Sequence, residues 1–375
     1  MALPLLHPRR GGGGLRPLGD LQGAARQRGA RQRPAPGQAG PRRGGGVSTP
    51  EAEHHADGNE PPPDADIVLR CRGVSHWFGS HPILHDVDLD VARGHVVSVV
   101  GPSGCGKSTL LRSIIGTHPP KRGEILVNGK AVQGPGRDRG IVYQHYSLFP
   151  FLSALDNVAI GLRLDQTNLI ERVLHPLRWR RKNAEFREQA AAMLDRLGLG
   201  HAKDRFPHQL SGGMKQRVAM GQALIMKPDV LLLDEPFGAL DEAMRENLQD
   251  LLVDLFHKNE QARDRGEVPP YTIMIVTHEL NEALYVSNRV IGLSQSWRYE
   301  DDGFDRVPGA TVVYDAAAPI SRPDQPRDYV QWLDQKNEIR QVVFEPEERH
   351  SRQDYRRFWR ELREEHALAE GDAEG

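Results

Sequence analysis

An α/β fold around a buried, mostly parallel sheet is predicted for residues 66–298, and three observations predict it. The loop GPSGCGKST at Gly101–Thr109 directly follows the apolar, β-branched run Val96–Val100. A second apolar run, Val230–Leu233, ends in Asp234-Glu235-Pro236, and a third, Ile273–Val276, ends in Thr277-His278. Short apolar runs that stop at a glycine or at polar residues are the pattern of strands buried on both faces, with the chemistry at their ends.

Composition bounds the answer. Lysine and arginine number 49 against 51 aspartates and glutamates, so the net charge of −2 carries no nucleic-acid footprint. Cys71 and Cys105 are the only cysteines, and a disulfide at Cys105 would distort the glycine-rich turn, which places the chain in a reducing cytoplasm. No window approaches the roughly 18 consecutive apolar residues of a membrane-spanning helix, so the chain is expected to be soluble or peripheral, with any membrane work done through a partner.

The chain is expected to fall into three parts. Residues 1–65 begin with an Arg-, Gly-, Ala- and Pro-rich stretch in which Asp20 is the only acid up to about residue 46. Without aliphatic periodicity it should be disordered, read as a basic arm, a targeting segment or an unstructured leader upstream of the true start. An acidic linker from Glu51 to Asp66, broken by Pro61-Pro62-Pro63, leads to the ordered domain at Ile67-Val68-Leu69. Residues 66–298 form that domain, with a helical subdomain over about 145–225, and residues 299–375 form a C-terminal extension.

Within the domain, Val87–Val91 alternates as a half-exposed strand and Val96–Val100 reads as a buried one. The loop that follows matches G-x-x-x-x-G-K-[ST] and opens a helix over Lys107–Ile115, the strand-turn-helix context a phosphate loop requires. Gly101, Gly104 and Gly106 let successive backbone N–H groups converge on one point, and the helix directs its positive end there. Pro102, Ser103 and Cys105 complete the loop. Lys107 can reach the β- and γ-phosphates and the Ser108 hydroxyl can ligate Mg²⁺, while Thr109 packs or caps. A small side chain is tolerated at Cys105, and no redox role is expected of it.

Asp234 and Glu235 take different tasks because successive residues at a strand end face opposite ways. Asp234 would hold Mg²⁺, directly or through water, and Glu235 would orient or deprotonate the water that attacks the γ-phosphate of ATP. Gln144, after Ile141-Val142-Tyr143, can reach the metal or that water, and His278 can hydrogen-bond the γ-phosphate and sense its loss.

With Leu210-Ser211-Gly212-Gly213-Met214 placed about a hundred residues after the phosphate loop and just before Val230–Pro236, the chain resembles the ATP-binding subunit of an ABC transporter over about Ile67 to Leu293. The resemblance implies a RecA-like P-loop NTPase core with an antiparallel β subdomain and an inserted α-helical subdomain. It also implies the roles of signature motif for Leu210–Met214, Q-loop for Gln144, D-loop for Ala239-Leu240-Asp241, switch histidine for His278, and adenine-stacking aromatic for Phe78, with Trp77 as the alternative. Each ATP would lie in a head-to-tail homodimer, between the phosphate loop of one subunit and the signature of the other. The chemistry agrees with that, because Ser211 and its glycines open a helix whose N–H groups suit a γ-phosphate. Integral-membrane permease subunits, and indirectly a periplasmic solute-binding protein, would be the partners, and the site of action the cytoplasmic face of the inner membrane.

DEPFGALD at Asp234–Asp241 and SGGMKQR resemble importers of the nitrate, sulfonate and taurine group, as does the tail Gly309–Tyr314 with Pro319 and Arg322-Pro323. Met214 stands where the commonest signature has Gln, a departure that many importers share, while the run Met220–Leu224 and extra residues at about 164–181 and 261–270 depart from the group. The first insertion, with Trp179 and Arg178, Arg180, Arg181 and Lys182, is either a permease contact or a solvated helix extension. Helical character at Tyr329–Ile339 and Asp354–Leu368, with Trp332, Phe358 and Trp359 as anchors, is expected to pack on the parent domain. An exporter ATPase is the alternative function. A DNA-repair ATPase of the superfamily would need long coiled coils between the two motifs, and a translation factor two cassettes.

Overall fold

The computed structural model describes residues 59–63, 65–144, 147–167, 174–238, 240–319, 321, 330, 332–346 and 349–364. The leader, most of the acidic linker, Ala239, Arg322-Pro323, part of the 164–181 insertion and the end of the last helix lie outside these residues.

Two sheets and a helical subdomain make the architecture. In the first sheet β1 (Ile67–Phe78) is flanked antiparallel by β2 (His81–Ala92) and β4 (Arg122–Val127), with β5 (Lys130–Ala131) at the edge. The second contains β3 (Val96–Val100), β6 (Arg139–Val142), β7 (Val230–Asp234), β8 (Ile273–Val276), β9 (Arg289–Ser294) and β10 (Thr311–Ala317). Its order is β10-β9-β3-β8-β7-β6, and every pairing is parallel except β9 with β10.

Alternation along the buried strands divides the core. Val97, Val99, Leu232, Met274 and Val276 face the antiparallel sheet and α1 (Lys107–Ile115). Val96, Val100, Leu231, Leu233, Ile273 and Ile275 face α5 (Glu242–Asp264) and α6 (Leu280–Val286) on the other side. Because β3, β7 and β8 are filled on both faces, their polar residues other than the buried Ser98, which donates to the Ala283 carbonyl, stand at the strand ends, which all point to one edge of the sheet.

The helical subdomain has its own core. Leu155, Val158 and Leu162 of α2 (Ala154–Gln166) meet Phe186, Ala190 and Leu194 of α3 (Pro176–Arg196) and Val218 of α4 (Gly212–Leu224). Each of α2, α4 and α5 starts on a side chain that accepts a backbone N–H: Ser153 from Asp156, Ser211 from Met214 and Asp241 from Met244. In the insertion, Leu174, Leu177, Arg178, Arg180 and Arg181 are exposed, whereas Trp179 packs partly against the subdomain core.

The polar C-terminal sequence folds back on the parent domain. Trp297, Trp332, Val343 and Tyr355 join the same apolar cluster as the sheet, around β10 and the short α7 (Leu333–Ile339). The final described helix, α8 (358–364), sets Phe358 and Trp359 against Ala92. Asp88 is the exposed residue of the alternating strand, but Asp90, also expected outside, is 4 % exposed and ion-paired to Arg70 and Arg72 at 2.9 and 2.7 Å.

Candidate functional site

The phosphate loop joins the end of β3 to the start of α1, and its glycines have different tasks. Gly106 adopts φ +108 as the residue before the helix, and a Cβ there would lie within 2.9 Å of Leu84 and Ile83 side-chain carbons. Gly101 has an ordinary φ; its need is space, since a Cβ would lie 2.2 Å from the Leu293 carbonyl oxygen of β9. Lys107 is buried and its ammonium donates to the carbonyl oxygens of Gly101 at 2.7 Å and Pro102 at 3.0 Å, which fixes a positive charge over the loop. Ser103 and Gly104 are exposed on the open side, Thr109 is half-buried in the first helical turn, and burial pushes the Cys105 thiol up, away from the reactive thiolate.

Three strand ends, those of β6, β7 and β8, bring the remaining polar groups to that loop. Ser108 Oγ donates to Asp234 Oδ1 at 3.1 Å, joining α1 to β7. Burial, reinforced by the neighbouring Glu235 charge and opposed by the Ser108 hydrogen bond, raises the Asp234 carboxyl above the ordinary range. A carboxyl in that condition gains from a cation. Gln144, after β6, donates through Nε2 to Glu235 Oε2 at 3.4 Å, and His278 Nδ1, after β8, lies 3.4 Å from Glu235 Oε1. Glu235 therefore sits between the two side chains predicted to act with it. Its backbone is left-handed at φ +47, a conformation that costs a non-glycine residue about 1–3 kcal/mol and that clusters at functional sites. Its N–H is held by Val276 O at 2.9 Å.

The oxygen donors here are hard ligands of the kind Mg²⁺ takes: the Ser108 hydroxyl, the Asp234 carboxylate and the Gln144 amide. Among the described residues no group of three His, Cys, Asp or Glu could hold a metal ion by itself.

The signature segment lies at the start of α4. Leu210 is buried in the helical-subdomain core, Ser211 caps the helix, and Met214 packs partly against that core. Gly213 approaches α5 so closely that a Cβ would lie 3.0 Å from Met244, and its N–H donates to Met244 Sδ at 3.2 Å. Gly212 stands half-exposed between them. Asp241 accepts the Met244 N–H at 2.9 Å, so signature and D-loop share one residue of α5. Phe78 ends β1 with 46 % of its surface exposed, its ring 4.7 Å from His76 and 6.0 Å from His118. Trp77 beside it is 38 % exposed.

The family model described as ABC transporter matches residues 84–238, which takes in the phosphate loop, the Ser211 helix start and the Asp234–Glu235 pair. The nitrate import ATP-binding protein NrtD of Synechococcus elongatus is 37 % identical over 245 residues, 65 % of this chain and 77 % of that protein. This chain belongs to the ATP-binding subunits of ABC transporters. The aliphatic sulfonates import ATP-binding protein SsuB 2 of Burkholderia cenocepacia is 39 % identical over 262 residues, 69 % of this ABC subunit and 83 % of the relative. A solved nucleotide-free ATP-binding cassette from an ABC transporter shares the fold at a TM-score of 0.52 and 23 % identity, covering 68 % of this chain and 92 % of that one. The ABC subunit is an ATPase, and among its described residues no helix is long and apolar enough to cross a membrane.

Sequence reasoning missed Thr277 and Glu282. Thr277 Oγ1 donates to Glu282 Oε2 at 3.2 Å and accepts the Glu279 N–H at 3.1 Å, fastening the His278 loop to α6. The available signal was an acid in the first turn of ELNEALYV, beside Glu279 and Asn281, which reads equally well as a solvated partner of the helix dipole.

Proposed function

We propose that this ATPase energises a membrane permease for uptake of a small solute of the nitrate, sulfonate and taurine class. The reading is carried by the convergence of Gln144 and His278 on Glu235, beside the Ser108–Asp234 pair. The relatives named for nitrate and aliphatic sulfonate import support the substrate class. The subunit would act as a peripheral protein on the cytoplasmic face of the inner membrane, with the permease delivering solute received from a periplasmic binding protein.

ATP would lie with its adenine on Phe78 and its phosphates over the Gly101–Thr109 loop, where converging N–H groups, the α1 terminus and Lys107 neutralise their charge. Ser108, Asp234 and Gln144 would hold Mg²⁺, which would supply positive charge to offset the charge developing on the phosphates. Glu235 takes the proton of the attacking water. His278 holds the γ-phosphate and keeps Glu235 in place. A second copy completes the site through its Ser211–Gly213 helix start, with Asp241 at the seam. ATP then joins the two subunits and hydrolysis releases them, which a permease can convert into alternating access.

The test is uptake of nitrate, taurine and alkanesulfonates in a strain lacking this gene, complemented by the parent or by Glu235→Gln. Restoration by the parent alone supports the reading. Unchanged uptake of all three in the deletion, together with loss of an export activity, would replace it with export.

A further inference from the structure

We propose that Glu282 is a positioning residue, a buried carboxylate that couples the His278 loop to the Asp241-capped start of α5. This rests on the catalytic reading of Glu235 and His278 given above.

The two oxygens of Glu282 go to two different elements. Oε2 accepts from Thr277, the residue between β8 and His278, and Thr277 in turn holds the N–H of Glu279, so positions 277–279 are fixed from both sides of the histidine. Oε1 lies 3.3 Å from Arg245 Nε. Arg245 sits in the first turn of α5, its N–H bonded to the Asp241 carbonyl at 2.9 Å. The carboxylate is thus the short link between the loop that places His278 Nδ1 at 3.4 Å from Glu235 and the helix start that Asp241 caps.

Its placement is expensive unless it has such a task. Glu282 is 7 % exposed on a seven-residue helix whose other buried side chains, Leu280, Ala283, Leu284, Tyr285 and Val286, are apolar. Burial pushes its carboxyl up to about 7, against the pull of Thr277 and Arg245. Helix α6 does not depend on it for attachment, because those five side chains bury themselves in the core and Tyr285 Oη donates to Asp250 of α5 at 2.9 Å. Removing the charge therefore leaves the helix seated and loosens only the loop and the α5 terminus. Arg245 exposes 41 % of its side chain, while the Nε that faces Glu282 is buried. Asp241 and Ser211–Gly213 are the groups offered to a second subunit, and Glu282 carries their displacement to the histidine within the same chain.

The experiment compares the full-length parent with Glu282→Gln, Arg245→Gln and the double variant, measuring steady-state ATP hydrolysis, melting temperature, and amide exchange of residues 277–280. The expected result is kcat lower by about tenfold in each single variant, below the roughly 10²-fold that a full 1 Å misplacement of a catalytic group can cost. KM for ATP should stay within about twofold, the double variant should be no worse than the singles, and exchange at 277–280 should be faster. Parental kcat in Glu282→Gln, losses that multiply in the double variant, or a fall in melting temperature that accounts for the lost activity would each overturn the coupling. A parallel Glu235→Gln sample separates the two levels: if it stays active the catalytic reading fails, and if it is inactive while Glu282→Gln is normal, only the coupling fails.

Discussion

Replacing Glu235 by glutamine changes one oxygen into an amide nitrogen in a site whose geometry is otherwise set by the backbone. The left-handed φ of +47 and the N–H bond to Val276 belong to the main chain and survive the change. Gln144 Nε2 still finds the remaining side-chain oxygen at its present 3.4 Å, and His278 Nδ1 still has a polar partner at the same distance. What the variant loses is the proposed base. General-base catalysis contributes typically 10²–10⁴-fold, so kcat should fall by about that factor, equivalent to ~3–5 kcal/mol of activation free energy. Binding should not fall with it, because the negative charge that Glu235 places beside Asp234 disfavours ionisation of the carboxyl proposed to hold the metal. The measurements are single-turnover hydrolysis, nucleotide binding by fluorescence, and mass by light scattering with ATP and Mg²⁺, where the variant should accumulate as a dimer. Hydrolysis within threefold of the parent would refute the assignment of Glu235. So would loss of binding in step with turnover, which would make it a structural or metal-holding residue.

Three further outcomes follow from named contacts. Ser211→Arg should bind nucleotide as a monomer but fail to give the ATP-bound dimer by light scattering, since a long cation would occupy the position where a partner's phosphate would lie; normal dimerisation excludes the trans site. Phe78→Ala should raise KM for ATP several-fold with kcat nearly unchanged, because base–aromatic stacking is worth ~1–3 kcal/mol. Its melting temperature should barely move, since the ring is 46 % exposed. Arg289→Met should destabilise the fold by about 3–5 kcal/mol in urea unfolding, since it strands the buried Asp315 carboxylate that Arg289 now pairs at 2.7 and 2.8 Å, and adding Asp315→Leu should recover much of the loss.

The sites at strand ends were legible because each signal is local. Val96–Val100 before Gly101, Val230–Leu233 before Asp234 and Ile273–Val276 before His278 are apolar runs that can only be buried strands, and a polar residue immediately after such a run must lie at the sheet edge. The caps on α2, α4 and α5 are equally local, one side chain answering an N–H three residues on. Less legible was the reason for individual glycines. Gly101 and Gly106 look alike in the motif, yet one is needed for the approach of β9 and the other for a positive φ.

By itself the sequence determined the strand-turn-helix of the phosphate loop and the insertion of a helical subdomain, and named the residues of the candidate nucleotide site, since periodicity, caps and motif spacing are properties of neighbouring residues. Tertiary structure alone decided what happens to polar groups whose partners are far along the chain. Arg289 reads as a charge at the start of a strand. In the fold it is wholly buried, pairing with Asp315, donating to the Asp90 carbonyl at 2.7 Å and lying 4.4 Å from the Phe358 ring, so one guanidinium joins β2, β9, β10 and the C-terminal helix. Glu282 likewise reads as a surface acid and becomes a buried link to Arg245. The left-handed backbone of Glu235 has no sequence signal, because it is imposed by the pairing of β7 with β8 around it. A charge is tolerated in a core only where non-local partners satisfy it, and no local pattern records which partners the fold will supply.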